Sequence, residues 1–310
     1  MSMKFLPLAM LAALVGCSSD PGTVGGGISG NDGDGGGITI NLDATLGTGG
    51  SGGRYGTSTM PPGVLNMVVR DFRLYDGSDA TNPDFENVPT TDEEGTPCEP
   101  NDANPGCYGP WHDLEIVADT LGDDFKPVYK KKDEPDGRTL TTHGKAYFDQ
   151  WFRTVDGINI MQEIPLTLTQ NAEGAYEYDS RKAGPPLSSG GMFFPIDDSG
   201  EYKTTFGNES KQHNYSFTVE IHTLFTYMGG EHFYFRGDDD VFVFIDNKLV
   251  INIGGIHGAE QKDIDIDSLG LTQYETYPLD FFYAERHVVQ SNLLITTTLD
   301  LSNNGNIPIF

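Results

Sequence analysis

The chain has 310 residues, of which 46 are Asp or Glu and 19 are Lys or Arg, so its formal net charge is −27 at pH 7. Because phosphate groups are bound by clusters of Lys and Arg, this charge excludes nucleic acid and anionic lipid headgroups as electrostatic partners. The one basic cluster, residues 130–132, is followed directly by acidic side chains. Such acidity is typical of an extracellular protein.

The first seventeen residues have the pattern of an export signal. Lys4 is followed by an apolar stretch over residues 5–15, which is too short to span a bilayer as a helix. The stretch ends at Gly16-Cys17 and resembles the lipobox of bacterial lipoproteins, which implies that residues 1–16 are removed and that Cys17 carries lipid. The alternative is an ordinary signal peptide that is cleaved nearby. Cleavage before Cys17 leaves 294 residues (310 − 16) and a formal charge of −28 (18 − 46). We therefore expect a protein anchored by lipid in the cell envelope, at the outer membrane, facing the surface or the periplasm.

Residues 17–60 are rich in Gly, Ser, Thr, Asn and Asp and contain few aromatic residues. A segment of this composition buries too little apolar surface to offset the entropy of ordering it. We therefore predict a flexible tether that joins the lipid anchor to one folded domain over residues 61–310.

Cys98 and Cys107 are the two cysteines that remain after lipidation of Cys17. An even number of cysteines in an exported protein predicts a disulfide. The bond would close a turn-rich loop and stabilise the fold by about 2–3 kcal/mol. A metal site at these residues is disfavoured, because the sequence has no second pair of thiols.

The folded domain has the pattern of an all-β protein. Short runs rich in Val, Ile, Thr, Phe and Tyr are separated by Gly, Pro, Asn and Asp, as strands are separated by turns. Residues 144–154 are the best helical candidate. This organisation predicts a β-barrel or a two-sheet sandwich with few short helices. The predicted strands are residues 64–74, 164–168, 215–225, 232–235, 241–245, 249–253 and 293–299.

Residues 232–255 contain the most informative local pattern. Asp246 and Asn247 tolerate positive φ and predict a two-residue hairpin turn between two strands. Residues 238–240 are three adjacent aspartates at the start of a buried strand, where carboxylates repel one another and resist desolvation. Two explanations stay open here. One is a cation bound by oxygen ligands, for which calcium is the best match, and the other is capping of backbone amides in a tight turn.

Other motifs give no catalytic chemistry. Residues 263–267 alternate Asp and Ile, which predicts a half-buried edge strand with solvated carboxylates. Ser268 and Tyr274 stand where an EF-hand calcium loop requires Gly and Glu. Residues 285–287 (Glu-Arg-His) have no nucleophile motif beside them, and we interpret them as a salt-bridged turn. The sequence also lacks nucleophile-elbow, zinc-protease and phosphate-loop motifs, so we expect that the protein is not an enzyme.

Several blocks of the domain occur in the order found in the fibro-slime domain. This bacterial and amoebal extracellular module is related to the anthrax protective-antigen-type β-barrel lectin domain, and the chain resembles it from about residue 64 to residue 302. The blocks are residues 69–72 (VRDF), 82–86 (NPDFE), 144–152 (GKAYFDQWF), 193–197 (FFPID), 213–220 (HNYSFTVE), 232–255, 254–259 (GGIHGA), 277–280 (YPLD) and 282–287 (FYAERH).

The resemblance implies a protective-antigen-type β-barrel that binds carbohydrate. In lectins of the wider group, two consecutive aspartates, often joined by a cis peptide bond, hold a calcium ion that in turn holds sugar hydroxyls. The matching residues are Asp238 and Asp239, and Asp240 is an additional metal ligand candidate where many relatives have Gly. Further candidate ligands from loops are Asn252, His257 and Asn292.

We therefore predict a cell-surface lipoprotein that binds an extracellular glycan or matrix polysaccharide through calcium, in adhesion or in contact with an extracellular matrix. The alternative is a structural component of a matrix or coat, in which the aspartate cluster only stabilises a loop. A carbohydrate-active enzyme is disfavoured, because no catalytic pair of carboxylates can be assigned. In each case the contact with the membrane is made by the lipid on Cys17.

Overall fold

The computed structural model describes residues 61–85, 111–133, 137–202, 213–287, 290–299 and 301, all within the unit Thr48–Phe310. The predicted signal peptide, the lipid site Cys17, the tether and the predicted bond between Cys98 and Cys107 lie outside these residues. Within the described ranges, no helix has the length and apolar character needed to cross a membrane.

Strands dominate the described residues, which confirms the predicted all-β class. They also contain one α-helix, α1 (Lys145–Phe148), and one 3-10 helix (Ile266–Leu269). The strands are β1 (Val64–Phe72), β2 (Trp111–His112), β3 (Val117–Leu121), β4 (Pro127–Tyr129), β5 (Asn159–Thr167), β6 (Thr169–Gln170), β7 (Tyr176–Asp179), β8 (Ser188–Ser189), β9 (Met192–Phe193), β10 (Phe217–Thr226), β11 (His232–Gly237), β12 (Asp240–Ile245), β13 (Lys248–Ile253), β14 (Gly255–Ile256), β15 (Glu260–Asp265), β16 (Thr276–Glu285) and β17 (Leu293–Thr297).

Two large sheets contain most of the described strands. The larger sheet has eight strands in the order β4-β3-β13-β12-β16-β10-β1-β5, and the smaller has five in the order β15-β11-β17-β7-β6. Two short ladders, β14-β2 and β8-β9, stand beside them. Because β11 and β12 are consecutive in sequence but belong to different sheets, the loop between them crosses from one sheet to the other.

Strand β12, in the middle of the eight-stranded sheet, is buried on both faces. Along β12, Val241 and Val243 join the core that the two sheets share, whereas Phe242 and Phe244 join a second core on the opposite face with Trp151. Successive side chains of a strand point to opposite faces, so a strand that is covered on both sides needs apolar residues at every position. This is why β12 is a continuous apolar run from Val241 to Ile245 and does not alternate with polar residues.

The predicted hairpin turn between β12 and β13 is confirmed. Asp246 and Asn247 have φ values of 50° and 62° and connect the paired residues Ile245 and Lys248. Positive φ at both central residues is the geometry that matches the twist of a two-residue hairpin. Asn247 Oδ1 also accepts a hydrogen bond from the Leu121 amide at 3.1 Å, which ties β3 to the turn.

The predicted helix over residues 144–154 is wrong in its length, because α1 covers only Lys145–Phe148. After Phe148 the chain continues in tighter turns, in which the amides of Gln150 and Trp151 donate to the carbonyl oxygens three residues earlier at 3.1 and 3.0 Å. Asn159 Nδ2 then donates to the carbonyl oxygens of Gln150 and Arg153 at 3.1 and 3.0 Å, which holds this segment in its turn. The aromatic residues that follow α1 are buried from a turn and not from a helix face.

The predicted edge strand is confirmed. β15 is the outermost strand of the five-stranded sheet and pairs with β11. Asp263 and Asp265 are exposed, while Ile264 packs against the core. Asp265 then caps the 3-10 helix, since its Oδ1 accepts from the Asp267 amide at 3.0 Å. These carboxylates therefore have a structural explanation that needs no cation.

Candidate cation-binding site

The three consecutive aspartates lie on the connection between the two sheets. Asp238 and Asp239 follow β11, and Asp240 begins β12. Their exposed fractions are 2%, 3% and 0%. The peptide bond between Asp238 and Asp239 is trans, in contrast to the cis bond that the resemblance implies. The chain turns here through a φ of 46° at Asp239, a conformation that Asp adopts more readily than most residues.

Asp240 is paired with Arg286. Its Oδ2 accepts from Arg286 Nε at 2.6 Å, and both side chains are fully buried. Its Oδ1 accepts from the Gly255 amide at 2.7 Å. The guanidinium also donates to the Thr141 carbonyl at 2.7 Å and lies 4.4 Å from the ring centroid of Trp151. Burial raises the pKa of Asp240, and the charge of Arg286 opposes that change. The protein itself therefore balances the charge of this carboxylate.

Asp239 accepts hydrogen bonds from three backbone amides. Its Oδ2 accepts from Arg286 and His287 at 2.9 and 3.0 Å, and its Oδ1 accepts from His257 at 3.3 Å. Burial raises the pKa of Asp239 to about 7, while the charge of Arg286 lowers it and that of Asp240 raises it. Near neutral pH this carboxyl group is therefore balanced between its ionised and protonated forms.

Asp238 has one oxygen that the described protein groups leave without a partner. Its Oδ2 accepts from Asn292 Nδ2, but its Oδ1 is buried without a hydrogen bond. Burial raises the pKa of Asp238, and the hydrogen bonds from Asn292 lower it. An unsatisfied buried polar group costs about 1–3 kcal/mol, and more when it is charged. A proton or a cation at this oxygen would offset that cost.

Glu285 is a fourth buried carboxyl group beside the aspartates. Its Oε2 accepts from the Tyr283 hydroxyl at 2.8 Å, and its Oε1 has no hydrogen-bond partner. Burial raises the pKa of Glu285 well above its ordinary value, and the charges of Asp239 and Asp238 raise it further. The sequence pattern predicts a structural turn at Glu285 and gives no link between this residue and the aspartates.

Four buried carboxyl groups, those of Asp238, Asp239, Asp240 and Glu285, are thus accompanied by one buried guanidinium, that of Arg286, which is paired with Asp240. A cation with oxygen ligands fits this surplus of negative charge, because Asp238 Oδ1 and Glu285 Oε1 have no donor and Asp239 Oδ1 has only the 3.3 Å bond. Carboxylate oxygens on a loop are ligands that suit calcium. Protonation of Asp239 and Glu285 is the other way to relieve the same surplus.

The other three candidate ligands differ in how they relate to the aspartate cluster. Asn292 reaches the aspartates through its side chain, and His257 reaches them through its backbone amide. Asn252 lies on β13, where its Nδ2 donates to the Leu114 carbonyl at 3.1 Å and its Oδ1 is buried without a hydrogen bond. Two of the three loop candidates are therefore brought to the cluster, one of them by main chain alone.

Gly237 allows β11 to pass close to the loop that carries Asn292. A Cβ at Gly237 would lie 2.7 Å from the Asn292 carbonyl oxygen and 2.5 Å from Phe235 Cζ. We therefore expect Gly237→Ala to lower the free energy of unfolding by about 1–3 kcal/mol, measured by chemical denaturation. Gly258→Ala is the matched control, since its Cβ would meet no heavy atom within 4 Å. Equal stability of the two variants would contradict this packing.

Residues 172–309 match the PA14 domain family. This PA14 segment includes all three aspartates together with Glu285, Arg286 and Asn292. The buried carboxyl cluster therefore lies within the part of the chain that matches the family.

Two proteins of Dictyostelium discoideum are similar in sequence. Protein psiD is 44% identical over 193 residues, which is 60% of this chain and 36% of psiD. Protein psiC is 38% identical over 237 residues, which is 74% of this chain and 40% of psiC. The chain thus spans two fifths or less of the length of these curated relatives.

Two solved structures align with parts of the fold. The epithelial adhesin 9 A domain of Candida glabrata, in complex with Galb1-4GlcNAc, gives a TM-score of 0.28 at 11% identity over 83% of this chain and 96% of that chain. The PA14 sugar-binding domain of an RTX adhesin gives a TM-score of 0.23 at 12% identity over 33% of this chain and 60% of that chain.

Proposed function

We propose that this chain is a cell-surface protein that binds carbohydrate through a calcium ion held at Asp238 and Asp239, in adhesion or in contact with an extracellular matrix. The observation that carries the proposal is the buried oxygen of Asp238 that has no hydrogen bond, next to Asp239 and within the PA14 segment. A bound calcium ion would supply positive charge and coordination positions for the hydroxyl groups of a glycan.

In this proposal the residues of the cluster have different roles in binding calcium. Among the three aspartates, Asp238 Oδ1 and Asp239 Oδ1 are the oxygens that can accept a further ligand bond, so they are the proposed calcium ligands. Asn292 orients Asp238 by donating to its other oxygen. Asp240 has both oxygens engaged, by Gly255 and Arg286, and is proposed to fix the loop.

The proposal places the protein at the outer membrane as a fibro-slime lipoprotein anchored through Cys17, with a disulfide between Cys98 and Cys107. Its support is the sequence pattern of residues 5–17 and the sequence blocks shared with the fibro-slime domain. Proteins psiD and psiC come from Dictyostelium discoideum, whereas the lipobox is a bacterial signal, so the anchor depends on that pattern alone. The proposed partner is an extracellular glycan or matrix polysaccharide, and no enzymatic activity is proposed.

A structural matrix or coat component is the second candidate. The observation that favours it is the capping of Asp239 by three backbone amides, together with the low exposure of all three aspartates. In that case the cluster holds the crossing between the two sheets and binds no sugar.

A glycan array distinguishes these candidates. We expect binding of the full chain in calcium, a fall to background in chelator, and recovery when calcium is added back. Asp238→Asn is expected to abolish binding in all three conditions, because it removes a ligand charge while keeping the shape of the side chain. Asp263→Asn is the control, since Asp263 is an exposed carboxylate on the edge strand β15.

Two outcomes would decide against the carbohydrate proposal. Binding that is unchanged by chelator and by Asp238→Asn would remove calcium from the interaction. A folded protein that binds no member of the array, with or without calcium, would favour the structural candidate.

A further inference from the structure

Three metal-ligating side chains meet at a second place in the fold. His112 lies on β2, His257 follows β14, and Glu260 begins β15. The pairing of β2 with β14 sets Gly255 opposite His112 and thereby brings the three side chains together. One candidate ligand atom from each residue lies within 4.8 Å of those from the other two.

His257 has one ring nitrogen that is available to bind a metal. Its Nδ1 lies 3.0 Å from the Gly258 carbonyl oxygen, and since a carbonyl can only accept, Nδ1 carries the proton and Nε2 keeps its lone pair. Nε2 is buried and has no hydrogen-bond partner, and the residue is only 7% exposed. Histidines that bind metals usually donate their other ring N–H to a carbonyl or carboxylate, which fixes this tautomer.

His112 and Glu260 complete the group from its solvent side. His112 Nε2 lies 3.1 Å from Glu260 Oε1, and the two side chains are 48% and 31% exposed. The His112 and His257 rings stack with their centroids 5.3 Å apart. Ligand atoms at 2.0–2.1 Å from a tetrahedral metal lie roughly 3.3 Å from one another. The separation between His112 and Glu260 is close to that value, and a small side-chain rotation would bring His257 to it.

The chemical types of the three ligands indicate which metal the site would bind. Two imidazole nitrogens and one carboxylate oxygen suit zinc, whereas calcium takes oxygen ligands. We propose that His112, His257 and Glu260 bind one zinc ion, with a fourth position open to solvent. The site shares no ligand atom with the proposed calcium site. It joins His112, which lies outside residues 172–309, to two residues inside the PA14 segment.

The test is zinc titration of the full chain after removal of bound metals. Calcium is kept at saturation so that zinc does not occupy the aspartate cluster. We expect calorimetry to detect one zinc ion per chain, and cobalt in its place to give the visible absorption of a tetrahedral site. His257→Gln should weaken zinc binding by more than about 100-fold, because loss of groups that merely orient a ligand already costs 10–100-fold.

Two variants keep the test decisive. His112→Gln should weaken zinc binding to a similar extent, and because His112 is half exposed, its replacement leaves the fold intact. His232→Gln is the control, since His232 is an exposed histidine outside the proposed site, with Asp263 at 3.6 Å. Zinc affinity in His112→Gln and His257→Gln equal to that of the wild type would overturn the proposal. The titration contains no glycan, so its result is independent of whether the protein binds one.

Discussion

Replacement of Arg286 by methionine is expected to lower the free energy of unfolding by about 3–5 kcal/mol, because it leaves Asp240 buried without its counter-charge. Both side chains are fully buried and joined at 2.6 Å. The variant also loses the bonds from Arg286 Nη1 to the carbonyl oxygens of Thr141 and Asp84 and the contact with the Trp151 ring. Arg286 thus holds together segments that are distant in sequence.

Chemical denaturation of three proteins tests this expectation. Lys130→Met is the control, since Lys130 pairs with Glu115 at 2.8 Å and the two side chains are 41% and 57% exposed. An exposed pair of this kind contributes about 0–1 kcal/mol. The double variant Asp240→Asn, Arg286→Met should recover part of the loss, because both buried charges are removed. A loss in Arg286→Met no larger than in the control would contradict the role assigned to this pair.

The pH dependence of the same variant gives a second readout. Burial raises the pKa of Asp240, and Arg286 is the charge that opposes the rise. Without Arg286 the carboxyl group takes up a proton more readily in the folded state. The difference in the free energy of unfolding between the wild type and Arg286→Met should therefore become smaller as the pH is lowered.

The sequence predicts best what depends on neighbouring residues. The turn at Asp246 and Asn247 follows from two adjacent residues that tolerate positive φ. The edge strand follows from an alternation that continues through Asp263 and Asp265. The helix predicted over residues 144–154 is shorter than expected, because the chain continues after Phe148 in tighter turns that Asn159, a residue outside the predicted helix, ties down through two carbonyl oxygens.

The candidate site was predicted only in part, for the same reason. Three adjacent aspartates are visible in the sequence, but their partners come from β16 and the residues after it and from the segment around β14. The register that sets Asp240 opposite Ala284 brings Glu285 and Arg286 to the aspartates, and local spacing does not contain it. His112 and His257 meet through β2 and β14, which have two residues each and are too short for a recognisable periodicity.

Without a bound cation, the free energy of unfolding is expected to fall as the pH rises from about 4 to about 7. Burial raises the pKa of Asp239 to about 7, whereas an aspartate in the unfolded chain titrates near 3.9. Between these values the folded state holds a proton that the unfolded state has released. Stability is therefore lost at about 1.4 kcal/mol per pH unit for this one group, and the loss is complete once the pH passes the folded pKa.

Asp239→Asn isolates this contribution. Asn tolerates the positive φ of residue 239 and does not titrate, so the variant in chelator should show a slope shallower by about one proton over the same pH range. Asp238→Asn is the second variant, because burial also raises the pKa of Asp238. Equal slopes in the wild type and in Asp239→Asn would mean that residue 239 titrates normally in the folded protein.

Calcium should remove this pH dependence of the free energy of unfolding and should also stabilise the folded protein. A bound cation keeps the carboxylate of Asp239 ionised in the folded state, so folding no longer takes up a proton as the pH falls. At a hundredfold excess over its dissociation constant, calcium should stabilise the wild type by about 2.7 kcal/mol. Magnesium should substitute poorly, because it dehydrates reluctantly and requires a tighter octahedron. A wild-type slope that calcium leaves unchanged would assign the raised pKa to a protonated, capped loop, and the cluster would then hold the two sheets together without a metal.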